Sequence, residues 1–345
     1  MQVKALRWVV LAALCSAIVA SAGVVLTQAW RTLGAPMNIA AAGEWLTVAP
    51  GTSLNRVSDE LARRGILDSS WALNAYARYS GAATQIHAGE YLVSRGTSAR
   101  ELLDQLVAGR VYLHDLTIVE GWNFDNVVNA LRRHPAVDAS GLNPDTLMAE
   151  LGKAELHPEG QFYPDTYRFA RGTSAMAILK QANEAMQDRL EQAWGQYRAT
   201  TVLESAYDAL ILASIIEKET ALSEERRRIS GVFHRRLERG MRLQADPTVI
   251  YGLGENFDGK LGREELAGDT PYNTYTRSGL PPTPIAMPGQ QSLSAAVDPA
   301  PGTELYFVAT GLGDGSHSFS TTLDEHNKAV ARYRSGTPPA ETGER

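Results

Sequence analysis

The chain has 345 residues, 44% of them hydrophobic and 21% charged, with a formal net charge of -6 at pH 7. This length implies two or three domains of ordinary globular composition. The acidic balance excludes the basic field that a nucleic-acid partner needs, and the single cysteine, Cys15, excludes a disulfide framework and a thiolate metal site.

Trp8 to Leu26 carries no charge, and at about 1.5 Å per residue it spans roughly the hydrocarbon core of a bilayer. Lys4 and Arg7 precede it, and Arg31 is the only charge between it and Glu44. That asymmetry places the N-terminus inside and the bulk of the chain outside. Ala20-Ser21-Ala22 resembles a signal-peptide cleavage site, but the apolar run continues through Val24, Val25 and Leu26, which favours an uncleaved anchor. Cys15 follows Leu14, so it is no lipoprotein site. Either reading exports the remainder, and a thiol-free exterior suits an oxidising compartment.

Residues 1–30 thus read as an anchor and 31–43 as a short tether. In the next block, 44–110, Trp45 to Val48 predicts a strand. Leu54, Val57 and Leu61 then recur at helical spacing until Gly65. The phrase returns with a strand at Tyr91–Val93, a Gly96-Thr97-Ser98 turn and a helix face of Leu102, Leu103 and Leu106. Ser98 with Glu101 fits a capping box. A third Gly-Thr-Ser, at 172–174, opens a helix through Ile178 and Leu179. The recurrence is either an internal duplication or one good turn-and-cap phrase used three times. The block at 45–67 looks like a LysM-type wall-binding module.

Leu113 to Val119 predicts a strand, and Phe124, Val127, Val128 and Leu131 a helix face. Residues 135–165 are irregular, with Pro144, Pro158 and Pro164, and 175–196 are helical again. This region, 111–200, reads as an intermediate α+β part beside a catalytic part at 201–335. There, Tyr207 to Ile216 is nearly all apolar, Ser223 to Arg239 is a basic amphipathic helix closed by Gly240, and Leu305 to Val308 is the clearest strand. The tail at 336–345 reads as disordered. Strands and helices mix without regular alternation, which predicts α+β and not a doubly wound sheet.

The phrase Ile216-Glu217-Lys218-Glu219 puts two carboxylates at the end of an apolar helix. Against apolar walls a carboxyl loses hydration, keeps its proton near neutral pH and can protonate a glycosidic oxygen. The plain alternative is the solvated end of a core helix. Residues two apart on a helix point to nearly opposite sides. Glu217 shares a face with Leu210, Ala213 and Ser214, whose small side chains leave room for a ligand. Glu219 shares one with Leu212, Ile215 and Ile216.

Several long phrases carry a resemblance. They are EGWNFDNVVNAL at 120–131, EGQFYPDTYRFARGTS at 159–174, ASIIEKET at 213–220, RLQADPTVIYGLG at 242–254, PYNTYTRSGLPPTPIAMPG at 271–289 and HSFSTTLDEHN at 317–327. With the order anchor, LysM-like segment, catalytic region, the chain resembles the endolytic murein transglycosylase family, the YceG-like family. The resemblance implies Glu217 as the catalytic residue. It implies a lyase that cleaves the β-1,4 bond between N-acetylmuramic acid and N-acetylglucosamine in nascent strands. The products are 1,6-anhydromuramic ends, and strand elongation stops. One glutamate suffices: it protonates the leaving oxygen and then takes the proton of the C6 hydroxyl, which closes on C1. No cofactor or metal is required, and the seven histidines show no close ligand spacing.

Gln244 and Asp246 read as sugar-binding or Glu217-orienting groups, or, for Asp246, as an Asp-Pro turn. Tyr272, Asn273 and Tyr275 suit a sugar cleft, or an ordinary loop–core junction. His317 and Phe319 share one strand face, His317 reading first as a satisfied structural histidine. Arg226, Arg227, Arg228, Arg235, Arg236 and Arg239 read as a solvated helix face, or as a contact for acidic stem peptides or phospholipid heads. The expected partners are peptidoglycan strands, the inner membrane and peptidoglycan synthases. The expected location is the inner membrane, crossed once, with the bulk in the periplasm. A lysozyme-like hydrolase using Glu217 and Asp246 and a non-catalytic wall-binding scaffold are the competing functions.

Overall fold

A computed structural model describes residues 2–197 and 201–336. All of the tail expected at 336–345 except Gly336 lies outside the described residues. The chain forms two compact units, Met1–His114 with Phe169–Arg171, and Asp115–Arg168 with Gly172–Arg345.

The first unit opens with α1 (Gln2–Gly34), and its stretch Val10–Gly34 is long and apolar enough to cross a membrane. The tether expected at 31–43 is instead packed structure. Helix α1 runs on to Gly34, Leu33, Met37 and Ile39 enter the core, and the Met37 N–H donates to the Thr97 carbonyl at 3.0 Å. Three apolar side chains in seven residues gain more from burial than from a free linker. Strand β1 (Glu44–Val48) pairs antiparallel with β2 (Gly89–Val93), Leu46 opposite Tyr91. Helices α2 (Leu54–Arg63), α3 (Ser70–Ser80) and α4 (Ala99–Val107) complete the core. The Ser53 hydroxyl caps α2, and Ser98 with Glu101 forms the capping box of α4. Periodicity does not mark α3, because Ala72, Leu73 and Ala77 make only a narrow buried stripe beside exposed Trp71 and Tyr79.

The second unit takes in most of β3 (Leu113–Thr117) and of β5 (Thr166–Ala170), which pair, the Thr117 and Thr166 hydroxyls 2.8 Å apart. Between them lie α5 (Phe124–Arg133), β4 (Val137–Asp138) and the short α6 (Leu147–Glu150), and β4 runs parallel to β6 (Thr173–Ser174). The long helix α7 (Ala175–Tyr197) leads to α8 (Ala206–Glu219) and α9 (Ser223–Glu238). After α10 (Asp246–Leu253) and α11 (Arg263–Ala267), α12 (Gln290–Val297) packs on α8. The chain then forms a hairpin, β7 (Tyr306–Ala309) with β8 (His317–Ser320), and ends in α13 (Leu323–Ser335). Helix α8 is the axis of this unit. Every residue from Ala209 to Ile216 is buried, because α7, α9, α10 and α12 surround it. Among the described residues every sheet is two-stranded, so the fold is mixed α and β with no doubly wound sheet.

Candidate active site

Helix α8 starts at a capping box in which the Ser205 hydroxyl accepts the Asp208 N–H at 3.1 Å. It stops where Thr220 turns extended. Its last turn carries the two glutamates into different surroundings. The Glu217 side chain is only 7% exposed. One oxygen accepts the Gly289 N–H at 3.0 Å and the other faces the Arg226 guanidinium at 3.5 Å. Arg226 also donates to Gln291. Glu120 completes this cluster, its carboxyl raised by burial and then by the charge of Glu217, against the pull of Arg226. Glu120 lies so close to Gly289 that a Cβ there would overlap its carboxylate and the Glu120 side chain would have to move. The room for a ligand expected beside Ala213 and Ser214 is filled. The segment Ile285–Gly289 occupies it, with the Ile285 N–H donating to the Ser214 hydroxyl at 2.9 Å. Small side chains here admit a packed loop.

Glu219 looks the other way, into a cavity of 640 Å³ that Gln244, Asp246, Tyr275, Arg236 and His317 also line. Its carboxyl is pushed up to about 8, by burial first and then by the negative charge of Asp246, with Arg236 opposing. The negative end of α8 adds to the cost of ionising it. Asp246 is the first residue of α10, followed by Pro247. Its carboxylate accepts the Tyr275 hydroxyl at 2.5 Å, and burial first, then that carboxylate, pushes the phenol up. Gln244 has φ +52°, the left-handed region, and is the only non-glycine residue with positive φ among those described. Such a conformation costs about 1–3 kcal/mol and persists where the surroundings enforce it. The Gln244 N–H donates to the Thr274 carbonyl at 3.1 Å and its side-chain oxygen accepts from Arg236 at 3.3 Å.

Of the residues singled out in the sequence, the structure therefore gathers Gln244, Asp246, Tyr275 and His317 in one cavity, with Glu219 and not with Glu217. Tyr272, Asn273 and Phe319 have other partners. Tyr272 meets the Thr283 hydroxyl at 2.9 Å and stacks edge-on with Tyr251. Asn273 is fully buried and its amide donates to the carbonyls of Leu266 and Gly268 at the end of α11. Phe319 packs on Phe307 and carries the Arg228 guanidinium 3.9 Å above its ring. His317 has a structural partner, its Nδ1 2.7 Å from Glu225, whose other oxygen accepts the His317 N–H.

The arginine cluster of α9 is a solvated face only in part, since Arg227, Arg228 and Arg239 are exposed. Arg226 and Arg236 are buried. Arg236 donates to the carbonyls of Leu305 and Leu243, both at 2.7 Å. Arg235 holds the Glu304 carbonyl at 2.7 Å, and Arg227 pairs with Asp298 at 3.0 Å. The helix thus clamps the segment that leads into β7, a role invisible to charge counting because the acceptors are backbone carbonyls about 70 residues ahead. Arg236 is hidden from the sequence as a site residue for the same reason, and Glu120, Glu225 and His326, which also lines the cavity, because their partners are distant in sequence. Among the described residues no group of three His, Cys, Asp or Glu side chains could hold a metal ion.

Residues 46–332 match the sequence model of the YceG-like family. The chain is 31% identical over 308 residues to the endolytic murein transglycosylase of Bacillus subtilis strain 168, covering 84% of each. It is 25% identical over 325 residues to the protein of that name from Streptococcus pneumoniae serotype 2, covering 83% of this chain but 57% of that one. A crystal structure of a yceG-like protein from Listeria monocytogenes superposes with a TM-score of 0.55 at 31% identity, over 83% of this chain and 99% of that one.

Proposed function

The chain belongs to the YceG-like family, and from that premise we propose that it is a membrane-anchored endolytic murein transglycosylase, a lyase acting on peptidoglycan glycan strands. It cleaves the bond between N-acetylmuramic acid and N-acetylglucosamine and leaves 1,6-anhydromuramic ends. Helix α1 is its uncleaved single-pass anchor in the inner membrane, with the bulk of the chain in the periplasm, and the first unit is a LysM-like wall-binding module. Peptidoglycan synthases, which supply nascent strands, are its partners.

The acid/base residue is Glu219 in this reading, and one observation carries the choice: its side chain lines a 640 Å³ cavity together with Gln244, Asp246 and Tyr275, where burial pushes its carboxyl up to about 8. Protonated Glu219 gives its proton to the bridging oxygen as the C1–O bond breaks. The resulting carboxylate takes the C6 hydroxyl proton as O6 bonds to C1, so no water enters and the acid is regenerated. Burial sets the acidity of Glu219 first, Asp246 and Arg236 adjust it in opposite senses, and Gln244 and Tyr275 offer hydrogen bonds to hydroxyl or acetamido groups.

The second reading keeps Glu217, as the resemblance implies, and rests on its dry side chain beside the raised carboxyl of Glu120. Full-length protein in detergent, incubated with uncrosslinked glycan and analysed by mass spectrometry, separates these readings. Anhydro ends lost in Glu219→Gln and kept in Glu217→Gln support the first, and the reverse supports the second. Reducing ends, heavier by one water, would make the protein a hydrolase.

A further inference from the structure

Helix α1 carries two exposed tryptophans, Trp8 and Trp30. They are 22 residues apart, about 33 Å along the helix. That spacing matches a hydrocarbon core of about 30 Å with an aromatic side chain at each interface. Trp30 is backed by the first unit: the Arg100 guanidinium lies 4.1 Å from its ring and Tyr76 packs edge-on at 6.0 Å. An arginine beside a tryptophan suits the level of the lipid phosphates.

The unit does not begin above that level. Leu33 in the last turn of α1 is buried in its core, and α1 packs on α3 and α4. The start of α3 reaches down along α1, where Ser69, Trp71 and Ala72 face Val24, Val25 and Gln28 across a groove of 310 Å³. Val24 and Val25 precede Trp30 by six and five residues, which is about 8–9 Å toward the membrane centre. Trp71 is 56% exposed, and the two valines are 69% and 51% exposed. A soluble surface gains nothing from three large apolar side chains around an open groove. An indole at the hydrocarbon–headgroup boundary buries its ring and keeps its N–H hydrated.

We propose that the N-terminal edge of α3 is a second membrane contact: Trp71 inserts into the outer boundary of the bilayer beside α1, and a lipid acyl chain fills the groove between Trp71 and Val24–Val25. The proposal rests on α1 being an uncleaved anchor. Its consequence is that the first unit is seated on the bilayer at a fixed height, held by α1 and by α3 together.

The test uses full-length protein in phosphatidylethanolamine/phosphatidylglycerol vesicles, with Cys15→Ser as background. Single cysteines placed by Trp71→Cys, Tyr79→Cys and Ile18→Cys carry an environment-sensitive fluorophore. Tyr79, 90% exposed at the far end of α3, is the control in water, and Ile18 reports the anchor. A lipid bearing a shallow nitroxide should quench the label at 71 about threefold more than the label at 79, with a blue-shifted emission at 71. Equal quenching at 71 and 79, while a deep nitroxide quenches the label at 18, overturns the second contact and leaves the anchor intact. Absence of quenching at 18 removes the anchor reading and this proposal together. Trp71→Phe needs no label and a smaller change: the share of tryptophan emission quenched by a shallow brominated lipid should fall, and an unchanged share counts against the contact.

Discussion

The two sides of the last turn of α8 hold the same functional group under opposite terms. On the Glu217 side both carboxylate oxygens meet protein donors, Gly289 and Arg226, and the neighbouring loop fills the space beside the helix. On the Glu219 side the adjacent arginine is spent on three backbone carbonyls and the Gln244 side chain, a second acid stands across the cavity, and 640 Å³ is open. On the proposed assignment of Glu219, burial alone does not make an acid catalyst. The difference lies in what the buried group is given to bond with, and in whether a substrate can reach it.

Exchanging each carboxyl for an amide breaks this comparison most directly. Glu219→Gln should lower the rate of anhydro-end formation by about 10²–10⁴-fold, the usual worth of a general acid/base. Glu217→Gln should leave turnover within about tenfold of wild type, because an amide oxygen still accepts the Gly289 N–H. Stability should show the opposite ranking. Glu217→Ala leaves Arg226 and the Gly289 N–H short of an acceptor and should cost about 1–3 kcal/mol in urea unfolding. Glu219→Gln should instead raise the melting temperature at pH 8. A carboxyl raised to about 8 in the folded chain, from 4.5, opposes folding increasingly as pH climbs through that window. Below the lower value the two proteins should melt alike.

The pH profile sharpens the contrast further. Activity should decline as pH rises through about 8, where Glu219 loses its proton. Asp246→Asn removes a like charge, so the Glu219 carboxyl falls and the alkaline limb moves to lower pH. A limb that stays in place would show that Glu219 does not titrate in the reaction. The smallest effect is expected from Gln244→Gly. Glycine adopts φ +52° without strain, so stability should rise by up to about 1 kcal/mol. Turnover should fall severalfold as the amide leaves the cavity, read by the same product assay.

Much of the fold is legible in particular residues. Leu54, Val57 and Leu61 mark α2, Ser98 and Glu101 mark the start of α4, and the apolar run Tyr207–Ile216 marks the buried axis α8. These features are local, since a capping pair or a periodic stripe acts within one or two turns. Helix α3 is not legible in the sequence because its buried stripe is narrow and its exposed face carries the large apolar Trp71 and Tyr79. Arg235 and Arg236 of α9 depart from the solvated face that charge composition suggests, because composition is blind to carbonyl acceptors. The site was half legible. Gln244, Asp246, Tyr275 and His317 do share one cavity, whereas Tyr272, Asn273 and Phe319, just as suggestive in type, hold other parts together.

By itself the sequence determined an apolar N-terminal span, a mixed α and β chain, family membership, and two glutamates closing one buried helix. Which of the two meets an open cavity was decided by the tertiary structure alone. Helical geometry sets only the angle between neighbouring side chains. What lies along each direction is supplied by Ile285–Gly289 on one side and by Arg236, Gln244, Asp246 and Tyr275 on the other. Those segments arrive from 17 to 72 residues away, and only packing brings them there.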